Sequence, residues 1–211
     1  MQALFSPDSK IMQTISRIGD LMILNVVFLL TCLPVVTIGA ANTALYTVCF
    51  RFGTEREGKL LRSYFRAFRD NFRQGTVLWL ILLLFGAASC VNILLFYALN
   101  SALRYAALVF AVALVLVVLI FSYTFPLLSQ FNNNNLSTLK NALVLSIAYL
   151  PRSVVIAALN LLPWVLFLLN LYVFLQAGFF WIFFYFATAA YLNTFLLKKV
   201  FAPYLNQEKE T

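Results

Sequence analysis

The sequence predicts an all-α protein: a polytopic transmembrane bundle of five or six spans, with amphipathic helices on the cytoplasmic side. Of its 211 residues, 63% are hydrophobic and only 10% are charged. A soluble domain is typically about 45–50% apolar and about 25% charged. This chain therefore lacks the polar residues needed to cover a water-facing surface. Its basic residues are concentrated in a few segments between long apolar runs.

The apolar runs predict the spans, because about 20 mostly apolar residues cross a bilayer as a helix. With their connections they occupy nearly the whole chain, so we expect a single membrane domain over residues 1–211. The predicted spans cover approximately residues 20–37, 39–53, 76–99, 103–130, 152–174 and 177–198.

The second apolar run leaves two topologies open. Residues 40–52 would form about 20 Å of helix, which is short for a full crossing. If this segment crosses, the chain has six spans and both termini are cytoplasmic. If it is re-entrant or interfacial, the chain has five spans.

The first span resembles a secretory signal, because Lys10 and Arg17 precede its apolar run. Against cleavage, Asp8 and Asp20 interrupt the charge pattern and the following segment is itself apolar. We therefore expect a retained span, with Asp20 as its N-cap.

The positive charges predict the orientation. Seven basic residues lie between Arg51 and Arg73, whereas Arg104 alone lies on the opposite side. By the positive-inside rule, the segment from Arg51 to Arg73 is cytoplasmic. The net charge of +8 is then explained by topology and by anionic lipid headgroups, so we expect neither nucleic-acid nor nucleotide binding. If residues 40–52 cross the membrane, Lys10 and Arg17 are cytoplasmic as well. The other basic residues on the predicted cytoplasmic side are Lys140, Arg152, Lys198, Lys199 and Lys209.

Two stripes at helical spacing run along the most basic segment. Leu61, Phe65, Phe68 and Phe72 form an apolar stripe, and a basic stripe follows one residue later. Such a helix suits the cytoplasmic interface of the bilayer, either as a topology anchor or as a docking surface. Its predicted bounds are 59–74, and a second amphipathic helix is predicted over 136–150. The candidate lipid or partner contacts are Arg62, Phe65, Arg66, Phe68, Arg69, Phe72 and Arg73.

Amides and prolines interrupt the spans. Pro151 suits the first turn of a helix. Pro163 is expected to kink its helix and free the carbonyl of Leu159, with Asn160 close enough to compensate. Because an amide in a bilayer needs a partner, we expect the asparagines of the spans to bond neighbouring helices. They are Asn25, Asn42, Asn92, Asn160, Asn170 and Asn193.

The sequence contains no arrangement typical of catalysis or metal binding. It has no histidine, and Cys32, Cys49 and Cys90 lie inside apolar runs without metal-ligand spacing. No acidic or basic residue lies at the centre of a span, so ion-coupled transport is disfavoured. We expect no catalytic residue, no cofactor and no metal.

A weak repeat divides the chain. Residues 63–73 precede two spans that end near Pro126, and residues 137–152 precede two spans that end near Pro203. Both halves would start on the same side of the membrane, which makes this a parallel repeat.

Several ordered blocks resemble the YesL-like family of bacterial membrane proteins. The most distinctive are LPVVTIGAA at residues 33–41 and YFRAFRDNFRQ at residues 64–74. The others lie at residues 19–21, 43–46, 125–128, 138–143, 150–152 and 199–201.

The resemblance implies a role without a mechanism, since the family is largely of unknown function and supplies no site residues. Its members are commonly encoded beside carbohydrate ABC importers. It thus implies an accessory transmembrane subunit of an oligosaccharide uptake system in the bacterial cytoplasmic membrane, in contact with permease subunits and lipid. The alternatives are a membrane sensor that partners a signalling protein and, third, a stand-alone transporter.

Overall fold

The computed structural model describes residues 10–52, 59–98 and 105–210, and within these ranges it contains helices and no strand. Five of the helices are long and apolar enough to cross a membrane: Ile15–Cys32, Phe72–Ala98, Ala106–Gln130, Leu150–Leu169 and Gly178–Leu205. The all-α, multi-span fold class is confirmed. Residues 99–104, which connect the third and fourth predicted spans and include Arg104, lie outside the described residues.

The helices follow one another with short connections. In chain order they are α1 (Lys10–Cys32), a 3-10 turn (Val35–Thr37), α2 (Ile38–Arg51), α3 (Leu60–Asp70), α4 (Phe72–Ala98), α5 (Ala106–Gln130), α6 (Asn135–Ala148), α7 (Leu150–Leu169), α8 (Leu171–Gln176), α9 (Gly178–Phe180), a π-helical turn (Trp181–Tyr185) and α10 (Phe186–Glu210).

Several boundaries differ from those expected. Asp20 lies inside α1, which begins at Lys10, so the expectation of an N-cap at Asp20 is wrong. The helix ends at Cys32, where the chain reaches Pro34 and the 3-10 turn. Pro151 lies in the first turn of α7, as predicted. That helix ends at Leu169, because Asn170 is extended and its side chain caps α8 through the Val173 N–H.

Helices α4 and α5 pair antiparallel. The rings of Phe96 and Phe110 are 5.6 Å apart at one end, and the Gln74 side-chain amide donates to the Asn133 carbonyl at the other. Asn134, in the polar connector that follows α5, caps α6 by accepting from the Ser137 N–H at 2.8 Å. In the order of elements, α3–α4–α5 and α6–α7–α10 each place a shorter helix before two long ones. In the second set, α8, α9 and the π-helical turn lie between the two long helices.

Helix α2 is an interior helix of the bundle. Eleven of its 14 residues are buried, and it packs against α1, α3, α4, α5 and α10. At 1.5 Å per residue it is about 21 Å long, which is shorter than the roughly 30 Å hydrocarbon core of a bilayer. It is not among the five helices long enough to cross.

The segments that carry basic residues meet at one end of the bundle. Arg51, the last residue of α2, donates to the Ser63 hydroxyl of α3 at 2.8 Å. The ring of Phe201, which follows Lys198 and Lys199 in α10, packs against Phe50 and Phe131. The basic ends of α2 and α10 and the basic helix α3 are therefore on the same side of the bundle, as the positive-inside rule requires.

The last span contains a π-helical turn, and a side chain of α1 forms hydrogen bonds with the backbone at this turn. Asn25 is fully buried, and its amide nitrogen donates to the carbonyls of Trp181 and Ile182 at 2.9 and 2.6 Å. Its oxygen accepts from the Ala187 N–H at 2.8 Å. One amide thus serves three backbone groups at a point where the regular ladder of helix hydrogen bonds changes.

The backbone hydrogen bond that Pro163 removes is replaced by one from a residue of the last span. Proline at this position cannot donate to the Leu159 carbonyl one turn earlier. The Tyr185 hydroxyl donates to that carbonyl at 2.6 Å. The expectation that Asn160 compensates is wrong, because the Asn160 amide is directed towards Ser122 and Asn193.

We predict that Tyr185→Phe destabilises the wild-type protein by about 1–3 kcal/mol, because the Leu159 carbonyl loses its donor. In a Pro163→Ala background the backbone N–H returns, so the same change should cost clearly less. Thermal unfolding of the four proteins of this double-mutant cycle in one detergent measures the difference. Equal losses in both backgrounds would show that the Tyr185 hydroxyl does not replace the missing helix hydrogen bond.

Candidate functional site

The inward face of α3 fixes the position of the basic helix. Tyr64 is fully buried and Ala67 nearly so, whereas the predicted stripes did not include either residue. The Tyr64 hydroxyl lies 2.6 Å from the Thr31 hydroxyl of α1. Burial raises the pKa of Tyr64, so this hydroxyl stays protonated and available for the hydrogen bond. Helix α3 is therefore anchored by one tyrosine on the bundle.

The predicted contact residues lie on the outward face of α3 and on the first turn of α4. The predicted helix over 59–74 ends earlier, at Asp70, so Phe72 and Arg73 belong to α4. Arg62, Arg66, Arg69 and Arg73 are all exposed. The apolar stripe divides between the two faces: Phe65 and Phe72 are exposed, while Phe68 is half-buried against the core and stacks on Tyr64. Exposed aromatic rings beside arginines match the surface of a helix at the boundary between lipid and water.

The charge of α3 is mostly free for external contacts. Arg66 and Asp70 form an ion pair at 3.8 Å, with both side chains largely exposed. Exposed pairs of this kind contribute about 0.3–0.5 kcal/mol when they are one helical turn apart. The pair therefore holds Arg66 only weakly against competition from phosphate or carboxylate groups.

A polar cluster joins four helices inside the bundle. The Asn193 amide of α10 donates to the Tyr46 hydroxyl of α2 at 3.2 Å and to the Asn160 oxygen of α7 at 3.0 Å. Asn160 in turn reaches the Ser122 hydroxyl of α5 at 3.5 Å. The Asn193 oxygen is buried without a partner among the described residues. These amides bond across helices, as expected.

A cavity of about 520 Å³ lies beside this cluster, between α1, α2, α4, α5, α7 and α10. Tyr46 and Asn160 of the cluster line it, and so does Asn42, whose side chain makes no hydrogen bond within the described part of the chain. The rest of the wall is mainly aromatic. The aromatic residues are Phe28, Tyr46, Trp79, Phe121, Trp164, Tyr185 and Phe186.

The six asparagines of the spans divide into distinct roles. Asn25, Asn160 and Asn193 bond other helices, which confirms the prediction for these three. Asn92 bonds the Ala88 carbonyl of its own helix, and Asn170 is a helix cap, so the prediction is wrong for both. Asn42 faces the cavity.

The cavity was not predicted from the sequence, because its lining comes from six separate helices. The sequence shows that the spans contain tryptophans and asparagines, which often line ligand sites. Their spacing does not show which of these side chains lie next to one another in the fold. Tyr64 was missed for a simpler reason: it belongs to neither stripe and lies on the side of the apolar stripe away from the arginines.

One family model is similar to part of the chain. Residues 21–93 match the family described as a protein of unknown function, DUF624. The matched residues contain the second half of α1, all of α2 and α3, and most of α4. The comparisons with curated proteins and with solved structures found no match.

Proposed function

We propose that the protein is a non-enzymatic accessory subunit of a bacterial carbohydrate ABC uptake system, packed in the cytoplasmic membrane against the permease subunits. The resemblance to the YesL-like family supports the link to carbohydrate import. The fold is compatible with it, because five apolar helices leave long lipid-facing surfaces for association with other membrane helices.

The observation that carries the proposal is the outward face of α3. Tyr64 fixes the helix on the bundle, and three arginines and Phe65 are exposed on its outward face. Phe72 and Arg73, at the start of α4, continue this exposed surface. A surface that served only as a topology anchor would need charge but no fixed arrangement. A rigid face of alternating arginine and aromatic residues is the type of surface that contributes strongly to protein–protein binding.

The proposal predicts that reversing the charge of α3 weakens the complex. We expect the triple change Arg62→Glu, Arg66→Glu and Arg69→Glu to reduce, by about tenfold or more, the amount of this protein recovered with a tagged permease from detergent-solubilised membranes. Removing three cations that face a complementary surface would remove more than the roughly 1.4 kcal/mol that a tenfold change represents.

A matched control reverses the same number of exposed charges elsewhere, through Lys140→Glu, Lys198→Glu and Lys199→Glu. This variant should be recovered like the wild type. Full recovery of the α3 variant, or equal loss with both variants, would remove α3 as the contact surface. Failure to recover the unmodified chain with the permease at stoichiometric amounts would contradict the proposal itself.

The cavity favours the second candidate, a membrane sensor or regulator. A sensor needs a ligand site within the membrane part and a cytoplasmic surface that contacts a signalling protein, and the cavity and α3 could supply these two features. Co-purification with a sensor kinase in place of permeases would establish this role. Uptake by this chain alone in liposomes would instead establish the third candidate, a stand-alone transporter.

A further inference from the structure

The cavity between α1, α2, α4, α5, α7 and α10 has the composition of a ligand site. Its volume of about 520 Å³ lies within the range of roughly 300–1,000 Å³ that is usual for small-molecule sites. Such sites combine apolar and aromatic walls with a few polar groups that orient the ligand. Here the polar groups converge on one region, where the Asn42 amide, the Asn160 amide and the Tyr46 hydroxyl line the wall.

The walls select against charged ligands. No aspartate, glutamate, lysine or arginine lines the cavity in the described part of the chain. A charged group placed among aromatic rings without a counter-charge would lose its hydration and gain no ion pair. These walls therefore favour an uncharged ligand over a charged one.

The amides select against a purely apolar ligand such as an acyl chain. The Asn42 side chain lines the cavity and has no hydrogen-bond partner among the described residues. An amide offers two donors and one acceptor, and all of them would stay unsatisfied against a hydrocarbon chain. A ligand with hydroxyl groups would satisfy them.

The aromatic rings select for a ligand with apolar faces. Trp79 and Phe121 form an edge-to-face pair on one side, with ring centroids 5.8 Å apart, and Trp164 is exposed at the rim. A sugar ring meets all three requirements, because its C–H faces are apolar, its edges carry hydroxyl groups and it has no charge.

We propose that this cavity binds an uncharged hydroxylated ring, either a free sugar or the sugar headgroup of a glycolipid. The site goes beyond the subunit role proposed above. Its binding is measured on this chain alone, so the outcome does not depend on whether the chain associates with a permease.

Tryptophan fluorescence tests the proposal directly, because two of the three tryptophans of the chain, Trp79 and Trp164, line the cavity. The purified full chain in lipid nanodiscs is titrated with maltose, and in parallel the nanodiscs are prepared with increasing glucosyl-diacylglycerol. Titration to about 10 mM detects dissociation constants in the millimolar range. Glucuronate and diacylglycerol serve as the charged and the sugar-free controls.

A saturable change with maltose would identify a free sugar, and a change only with glucosyl-diacylglycerol would identify a lipid headgroup. Either result supports the proposal. It is overturned if neither ligand gives a saturable change, or if glucuronate or diacylglycerol binds equally well.

Asn42→Leu provides the matched variant. It removes a side chain that makes no hydrogen bond within the described residues, so folding should be retained while affinity falls by about tenfold. Asn92→Leu, which changes a half-buried amide of α4 that does not line the cavity, should bind like the wild type. Trp164→Leu at the exposed rim is a second variant with its own expected loss of affinity. Unchanged affinity in either cavity variant overturns the assignment.

Discussion

Gly39→Ala is expected to destabilise the bundle by about 3 kcal/mol or more, at the upper end of overpacking effects. A methyl group at Gly39 of α2 would overlap the carbonyl oxygen of Gly75 in α4 and lie 2.6 Å from the β-carbon of Trp79. The obstacle is backbone, which cannot move without separating the two helices. Small residues at such contacts allow membrane helices to approach closely.

The contact is reciprocal, so Gly75→Ala should have a similar effect. Its new β-carbon would lie 2.9 Å from the α-carbon of Ala40. Gly19→Ala and Gly178→Ala are the controls, because a β-carbon at either position has nothing within 4 Å. The measurement is the midpoint of thermal unfolding in detergent. A Gly39→Ala protein as stable as the Gly19→Ala protein would show that α2 and α4 are not in close contact.

Asn25→Leu is the second change with a large expected effect. It retains the approximate size of the side chain but leaves the Trp181 and Ile182 carbonyls and the Ala187 N–H without their partner. A buried polar group without a partner costs about 1–3 kcal/mol. The loss should therefore be several kcal/mol, which is a large part of the stability of a typical domain.

Asn92→Leu is the matched control, because Asn92 is only half-buried and its amide bonds only the Ala88 carbonyl, which is already part of a helix. It should cost far less than Asn25→Leu, because no buried backbone group loses its only partner. Hydrogen exchange of the Ala187 amide provides a local measure of the same bond. If exchange at Ala187 stays as slow in Asn25→Leu as in the wild type, Asn25 does not hold the π-helical turn.

The features that local pattern determines could be predicted from the sequence. The apolar runs are long enough to define the membrane helices, and Pro151 marks the start of α7. The spacing of Arg62, Arg66 and Arg69 predicts an exposed basic face, which the structure contains. These predictions succeed because helical period and residue polarity are properties of neighbours in the chain.

The features that depend on contacts between distant residues could not be predicted. Asn25 lies 156 residues from Trp181, and the partner of the Leu159 carbonyl is 26 residues away at Tyr185. No local period indicates these pairs. The prediction for Asp20 was also wrong: it resembles a helix cap, but α1 begins ten residues before it, at Lys10. The residues that line the cavity come together only when all six helices are in place.

The central claim, that this chain is a subunit of a larger membrane assembly, is tested most directly by its composition in native membranes. The chain is tagged, kept at its native level of expression, purified in mild detergent and analysed by native mass spectrometry. We predict a complex that contains the permease subunits of a carbohydrate importer at a fixed ratio to this chain. Recovery of the chain alone, or with a signalling protein and no permease, would contradict the claim.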